Sequence, residues 1–147
     1  MLNKVIKLSL ISLITTLSIA NTVHAADAAK FDCMLTDSTV AGNKPGPQKT
    51  DFMKMTPEIF LFCSSNSAKK GQIIKSVWIA TDTNNAAPPN FKIDSKELAV
   101  TDDATDKHVL GTKFSLSKPD KGWPAGHYRV ELYLNNDLVQ SIKYDIS

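Results

Sequence analysis

Residues 126–134 alternate between polar and apolar side chains in the order G-H-Y-R-V-E-L-Y-L. Successive side chains of a β-strand point to opposite faces of the sheet, so this pattern predicts a strand with one buried face. The predicted core-facing residues are Tyr128, Val130, Leu132 and Leu134. The predicted outward-facing residues are His127, Arg129, Glu131 and Tyr133. Because Asn and Asp tolerate a positive φ, Asn135-Asn136-Asp137 predicts a tight hairpin into a second strand over 138–146.

Other segments of the chain also have the periodicity or composition of strands. Residues 57–64 form a short apolar run rich in aromatic and β-branched side chains, and residues 72–80 are apolar on both faces, as in a central buried strand. Residues 113–117 alternate, and weaker strands are predicted near 31–36, 50–55, 91–93, 97–101 and 108–111. At 95–98 one turn of helix is the alternative. Seven or eight short strands at this spacing predict a β-sandwich or barrel.

The first 25 residues have the three parts of a secretory signal. Lys4 and Lys7 give a positive start, residues 8–20 are apolar apart from Ser and Thr, and Val23-His24-Ala25 supplies the short residues that a signal peptidase accepts. A membrane anchor is the alternative, but Ser and Thr interrupt the apolar run that it requires. We predict a signal peptide over 1–25, cleaved after Ala25, and one mature domain over 26–147. The domain is expected in the periplasm, with secretion as the alternative.

Removal of the predicted signal changes the charge balance of the chain. The full sequence has a formal net charge of +2, and Lys4 and Lys7 account for this excess. The mature chain is therefore neutral, so we do not expect it to hold nucleic acid or an anionic membrane by long-range attraction. With 42% hydrophobic and 22% charged residues, the composition is typical of one soluble domain.

The mature chain contains two cysteines, Cys33 and Cys63. In an exported protein a small, even number of cysteines is most simply explained by a disulfide. A redox-active thiol pair and a metal site are the alternatives, although catalytic redox pairs usually have the closer C-x-x-C spacing. We predict a structural disulfide between Cys33 and Cys63.

Two C-terminal segments resemble the closing strands of a group of small exported bacterial domains. The segments are F-S-L-S-K-P-D-K-G-W-P-A-G-H-Y-R-V-E-L-Y-L, which begins at Phe114, and L-V-Q-S-I-K-Y-D-I, which begins at Leu138. Ile59-Phe60 and residues 71–80 resemble the same group. The resemblance implies an all-β, immunoglobulin-like sandwich of about seven to eight strands. It carries over no catalytic or binding residue and does not include the cysteine pair.

Catalytic motifs are sparse in the mature chain. It has no G-x-S-x-G nucleophile motif, and a histidine-based triad would have to use His108 or His127. No pattern brings two of its three glutamates together as a glycosidase requires. Asp102, Asp103 and Asp106 could form a calcium loop or, more simply, a solvated turn. We therefore predict that the protein is not an enzyme and needs no cofactor.

Trp123 and three methionines are the remaining candidates for binding. Trp123 lies between two glycines before the most regular strand, where it either covers the open end of the core or lines a ligand site. Met53 and Met55 would share one face of a strand and could bind Cu(I) through their thioethers, with Met34 as a third ligand. Their alternative role is to fill gaps in the core.

These observations favour a non-catalytic exported binding module whose partner is another protein. Its expected recognition surfaces are free strand edges, the 101–108 turn, the 118–126 loop, and the outward face formed by His127, Arg129, Glu131 and Tyr133. One alternative is a small-ligand or Cu(I) carrier that uses the three methionines. A second alternative is a periplasmic inhibitor or immunity protein.

Overall fold

The computed structural model describes residues 29–147, and these residues form ten β-strands and no α-helix. Accordingly, no membrane-spanning helix is present within that range. The predicted signal peptide and its cleavage site after Ala25 lie outside the described residues. The strands are β1 (Asp32–Thr36), β2 (Thr39–Val40), β3 (Lys44–Pro45), β4 (Asp51–Phe52), β5 (Glu58–Ser65), β6 (Ile73–Asp82), β7 (Phe91–Ala99), β8 (Leu110–Ser117), β9 (Gly126–Leu134) and β10 (Asp137–Ile146).

The strands form two principal sheets that pack on a common core. One sheet has the order β1-β5-β8 and the other has the order β4-β10-β9-β6-β7, while β2 and β3 form a separate hairpin. All neighbours are antiparallel except β4 and β10, which are parallel. The arrangement corresponds to immunoglobulin strands A-B-E facing G-F-C, with β7 added beside the C strand. The predicted all-β, immunoglobulin-like fold class is confirmed, and seven strands have five or more residues.

Large side chains from both sheets fill the space between them. The three-stranded sheet contributes Leu35, Ile59, Leu61 and Phe114, and the five-stranded sheet contributes Trp78, Val130, Leu132 and Tyr144. The Tyr144 ring stacks on Tyr128 at a centroid distance of 5.4 Å and meets the edges of Phe52 and Trp78. Burial raises the pKa of the Tyr144 hydroxyl. The core is therefore continuous from the smaller sheet to β10.

The predicted disulfide between Cys33 and Cys63 is confirmed. The two residues are direct partners in the β1–β5 ladder, and both are buried. In antibody domains the conserved disulfide joins the two sheets. Here it joins adjacent strands of one sheet, so the two sheets are held together by the core.

Four local predictions differ from the structure. Residues 108–111 and 113–117 were expected as separate strands, whereas β8 runs without a break from Leu110 to Ser117. Residues 91–93 and 97–101 were expected as separate strands, whereas β7 runs without a break from Phe91 to Ala99. The alternative of a helical turn at 95–98 is wrong, because pairing with β6 fixes these residues in extended conformation. The strand expected over 50–55 ends at Phe52, and a turn follows it.

Candidate functional site

Arg129, predicted to be an outward-facing binding residue, is engaged by neighbouring side chains. Its Nε donates to Glu131 Oε1 at 2.7 Å, and its Nη1 donates to Thr81 Oγ1 at 3.1 Å and Asn90 Oδ1 at 2.7 Å. These bonds link β9 to β6 and to the turn before β7. The Arg129 side chain lies on the outward face, as predicted. Two of its three guanidinium nitrogens, however, are hydrogen-bonded to residues of its own sheet and of the adjoining turn.

Glu131 and Tyr133 extend the same network. The Tyr133 hydroxyl donates to Glu131 Oε2, and Lys75 Nζ lies 5.2 Å from the centre of the Tyr133 ring. Burial raises the pKa of Glu131, but the hydrogen bonds from Tyr133 and Arg129 and the charge of Arg129 outweigh it, so the pKa is lowered. The hydrogen bond to Glu131 raises the pKa of Tyr133. Both side chains thus satisfy one another at the sheet surface.

His127 lies at the start of β9 and forms an exposed pair with Asp145 of β10. Its Nδ1 lies 2.6 Å from Asp145 Oδ1, and the side chains are 72% and 57% exposed. The hydrogen bond that the His127 ring donates to Asp145 and the negative charge of Asp145 raise the pKa of His127, and the charge of Asp82 adds to the effect. Of the four predicted outward residues of β9, His127 is the most open to solvent.

Trp123 is buried at one end of the sandwich. Its side chain is 3% exposed, and the indole Nε1 donates to the carbonyl oxygen of Thr56 at 2.8 Å. Its backbone N–H donates to the carbonyl of Lys54 at 2.9 Å. The indole N–H has no further hydrogen to offer a ligand. This geometry is that of a residue that covers the core, which was one of the two predicted roles.

The three methionines do not share one strand face. Met53 and Met55 lie in a turn after β4, closed by the Thr56 N–H to Met53 carbonyl bond, so the expectation of a shared strand face is wrong. Their side chains are 73% and 65% exposed. Met34 lies on β1, on the opposite face from Cys33 and Leu35. The structure therefore groups Met53 with Met55 and places Met34 on the outer face of the three-stranded sheet.

The predicted recognition turn at 101–108 is tied to a neighbouring loop. Asp103 accepts a hydrogen bond from the Lys70 N–H at 2.9 Å, and Asp106 accepts one from Asn66 Nδ2 at 2.6 Å. Asp102 instead accepts from Thr101 at 3.0 Å. Within residues 29–147, no three His, Cys, Asp or Glu side chains are grouped as metal ligands.

A groove of about 570 Å³ lies between the outer face of the three-stranded sheet and the β2–β3 hairpin. One row of strand partners crosses its floor, from Met34 on β1 through Phe62 on β5 to Lys113 on β8. The adjacent row consists of Asp32, Ser64 and Gly111. The hairpin side contributes Asn43, Pro45 and Gln48. The floor thus carries two apolar side chains, Met34 and Phe62, beside one acidic, one basic and two amide side chains.

The hairpin is held over the sheet by side-chain and backbone contacts. Lys113 Nζ donates to Asn43 Oδ1 at 2.7 Å and lies 5.6 Å from the centre of the Phe60 ring. Farther along the chain, Lys49 pairs with Asp37 at 2.5 Å. Asn43 itself has a φ of 59°, in the left-handed region that Asn tolerates, which lets the chain reverse between β2 and β3. The groove is therefore a defined feature of the fold, and Lys113 belongs both to its floor and to the hairpin contact.

The groove is not evident from the amino-acid sequence. The one feature of the sequence that points to the groove is the apolar run over 57–64. In this run Phe60 and Phe62 alternate with core-facing Ile59 and Leu61, so both phenylalanines lie on the outer face of the sheet. A large apolar side chain on a face that should meet water suggests a covered or binding surface. The hairpin that covers it has only two residues in each strand and leaves no readable periodicity.

No protein-family model and no curated protein sequence matches the chain. Among solved structures, an immunoglobulin-like protein from Pseudomonas aeruginosa aligns with 83% of this chain and 99% of its own length, at 10% identity and a TM-score of 0.48. An alkylpurine DNA glycosylase from Pseudomonas fluorescens, bound to DNA containing an abasic site analog, aligns with 80% of this chain at 12% identity and a TM-score of 0.45.

A third solved structure, a mutant β-glucosidase from Listeria innocua in complex with laminaribiose, aligns with 81% of this chain at 9% identity and a TM-score of 0.47. The chain spans 30% of the glycosylase and 16% of the glucosidase. With TM-scores below 0.5, these likenesses carry no argument about this chain. The fold assignment given above rests on the order and pairing of the strands.

Proposed function

We propose that the mature chain, residues 26–147, is a non-catalytic binding module of the cell envelope that holds a segment of another protein in the groove beneath the β2–β3 hairpin. The observation that carries the proposal is the row Met34–Phe62–Lys113 on the groove floor. Two apolar side chains next to polar ones suit an extended peptide, which offers apolar side chains together with backbone hydrogen-bonding groups.

The polar side chains of the groove suit this class of ligand. Gln48 carries an amide that both donates and accepts hydrogen bonds, as peptide backbones do, and Asn43, whose Oδ1 accepts from Lys113, has an amide N–H to donate. Asp32 and Lys113 supply opposite charges at two sides of the floor, which would favour one direction of an incoming chain. The neutral mature chain adds no strong long-range field, so recognition would depend on these short-range contacts.

The outward face of β9 supports the proposal less well than the groove. Arg129, Glu131 and Tyr133 already satisfy one another, and a partner would have to break those bonds to use them. We therefore assign them a supporting role in the sheet. Location in the periplasm, or alternatively outside the cell, is part of the proposal and follows from the signal-like residues 1–25 and the disulfide.

Affinity capture from a native envelope extract tests the proposal. The bait is the mature chain tagged at its N-terminus, because the last residues pair with β4. Phe62→Thr removes the apolar centre of the floor, and Val77→Thr is the matched control on the outer face of the other sheet. We expect one stoichiometric protein partner that V77T retains and F62T loses, while both variants keep the far-UV circular dichroism of the parent.

Two results would count against the groove. One is a partner that F62T and V77T bind equally, and the other is the absence of any partner in repeated native captures. If the captured partner is an enzyme or a toxin, an activity assay with added mature chain distinguishes an inhibitor or immunity protein from a neutral binder. The contacts described above favour neither kind of partner over the other.

A Cu(I) carrier is the second candidate function, and it is favoured by the exposure of Met53 and Met55 in one turn. Thioethers that filled the core would be buried, whereas these two face solvent and are soft ligands of the kind that Cu(I) prefers. Titration of the mature chain with Cu(I) against a competing chelator should show binding that Met53→Leu with Met55→Leu abolishes. Met34→Leu is the control, and binding that survives the double substitution would eliminate this candidate.

A further inference from the structure

Strand β7 is a long free edge of the five-stranded sheet. The sheet order places it beside β6 on one side only, and seven of its nine residues are exposed. Edge strands present unpaired N–H and C=O groups that can pair with another chain. This edge is independent of the groove, which lies on the other sheet.

Hydrogen bonds at both ends of β7 show which backbone groups are free. The Val100 N–H donates to the Gln72 carbonyl at 2.8 Å, and the Asn90 N–H donates to the Thr81 carbonyl at 3.0 Å. Because successive residues of a strand point their backbone groups to opposite sides, the even-numbered residues from Asp94 to Val100 face β6 and the odd-numbered residues between them face the free edge; the bulge at Ile93 interrupts this alternation. Ser95 agrees with this, since its N–H donates to the Asp94 carboxylate at 2.8 Å.

The charged side chains of β7 form no ion pair among residues 29–147. The strand carries Lys92, Asp94, Lys96 and Glu97, and none of them takes part in the ion pairs of the described chain. Two basic and two acidic residues alternate in a way that a second copy of the same strand could match. A dimer with two-fold symmetry joins identical edges, which must then run antiparallel.

Backbone direction and charge together select one register for such a pair. Only odd-numbered residues can exchange hydrogen bonds across the edge, so the two-fold axis must pass through a single residue. Centred on Asp94, the pairing sets Asp94 opposite Asp94 and Lys92 opposite Lys96. Centred on Lys96, it sets Lys96 opposite Lys96. A register centred on Ile93 would set Lys92 opposite Asp94, but Ile93 is the bulge residue and lies outside the regular ladder. Centred on Ser95, it sets Asp94 opposite Lys96 twice, and like charges directly opposite are destabilising.

We infer that two copies of this chain associate through β7, antiparallel and centred on Ser95. The Asp94 carboxylate exchanges its bond with the Ser95 N–H for an ion pair with Lys96 of the second copy. The released N–H then donates to the Ser95 carbonyl of the second copy, and the reverse bond forms by symmetry. Asp94 and Lys96 occupy non-hydrogen-bonded positions, where facing side chains approach most closely.

The contact extends over a short segment. Ile93 has no partner on β6 and forms a bulge opposite Trp78 and Ile79, which separates residues 91–92 from the regular part of β7, so pairing is confined to residues 94–96. A pairing of this length buries little surface, and association is therefore expected to be weak and concentration-dependent. It would join the two five-stranded sheets into one sheet that runs through both copies.

Sedimentation equilibrium of the disulfide-bonded mature chain, over a wide range of concentrations, measures this association. We expect a monomer–dimer equilibrium that Asp94→Lys alone and Lys96→Asp alone each abolish, because each places like charges opposite one another. A mixture of D94K with K96D should dimerise again, since every facing pair then has opposite charges. This rescue also shows that both variants are folded. Asp120→Lys, at an exposed loop position, carries the same charge change as D94K and should leave the equilibrium unaltered.

Three results would overturn the inference. The first is a chain that stays monomeric at every concentration, and the second is a dimer that D94K does not weaken. The third is a mixture of D94K and K96D that associates no better than either variant alone.

Discussion

The indole N–H of Trp123 donates to the carbonyl oxygen of Thr56 at 2.8 Å, and the two residues are 67 positions apart in the sequence. The Thr56 hydroxyl accepts a bond from the Met53 N–H at 3.0 Å, so the same turn is held from both sides. The contact therefore joins the loop before β9 to the turn after β4. It closes one end of the sandwich with a buried, fully paired indole.

Trp123→Phe should destabilise the chain by about 1–3 kcal/mol, because the buried Thr56 carbonyl loses its partner. Chemical denaturation followed by far-UV circular dichroism measures the change in the free energy of unfolding. Phe91→Leu is the control, since it alters an exposed aromatic residue on the edge strand. Equal stability of W123F and the parent would show that the hydrogen bond contributes nothing.

Loss of the disulfide should lower the free energy of unfolding by about 3–4 kcal/mol on the chain-entropy model. The bond closes a separation of 30 residues between β1 and β5. The comparison is between the oxidised mature chain and the Cys33→Ala, Cys63→Ala double variant, again by chemical denaturation. The reduced parent chain is the companion sample, and it should resemble the double variant. A difference well under 1 kcal/mol would contradict the prediction.

Gly126→Ala should be destabilising, and Gly111→Ala should be tolerated. Gly126 has a φ of 153°, and a Cβ there would lie 2.2 Å from the Asp82 carbonyl oxygen. The backbone strain alone is of the order of 1–3 kcal/mol. At Gly111 the nearest atom to an added Cβ is the Cys63 carbonyl oxygen at 4.0 Å. Thermal unfolding of the two variants side by side measures the contrast, and equal melting temperatures would contradict it.

His127 should titrate above its ordinary pKa of 6.5 because Asp145 bonds its ring and lies beside it as a negative charge. A pKa that is raised on folding means that the folded chain favours the protonated ring. The contribution of the His127–Asp145 pair to the free energy of unfolding is fully present below the pKa of histidine in the unfolded chain. It is lost as the pH rises through the higher pKa of His127 in the folded chain.

The pKa of His127 can be followed by NMR titration of the imidazole protons. Asp145→Asn should return it towards 6.5, whereas Asp137→Asn, at the far end of the β9–β10 ladder, should leave it unchanged. An unaltered His127 pKa in D145N would show that Asp145 is not the cause of the shift.

The sequence was sufficient to predict the elements whose two faces differ. In β9 each core-facing residue alternates with a polar one, and the structure buries Tyr128 and Leu132 while His127 stays exposed. The cysteine pair was equally readable, because two cysteines allow a single intrachain pairing. The strand depends on local periodicity and the disulfide on the number of cysteines, and both can be taken directly from a sequence.

The edge strand β7 and the groove could not be predicted from the sequence in this way. Most of β7 is exposed on both faces, so it has no apolar period, and its conformation comes from pairing with β6. The groove requires Met34, Phe62 and Lys113 to become neighbours across three strands. That register is set by the whole sheet, and the Lys113 bond to Asn43 spans 70 residues.

The position of the disulfide also determines how the N-terminal strand responds to strain. Cys33 is the second residue of β1, and its partner Cys63 lies directly opposite on β5. Fraying of β1 from its N-terminal end can therefore proceed no farther than Asp32 while the bond is intact. A pulling force applied at that end would pass through the sulfur atoms into β5 instead of unzipping the edge strand. Reduction of the bond would turn this fixed edge into one that can peel away.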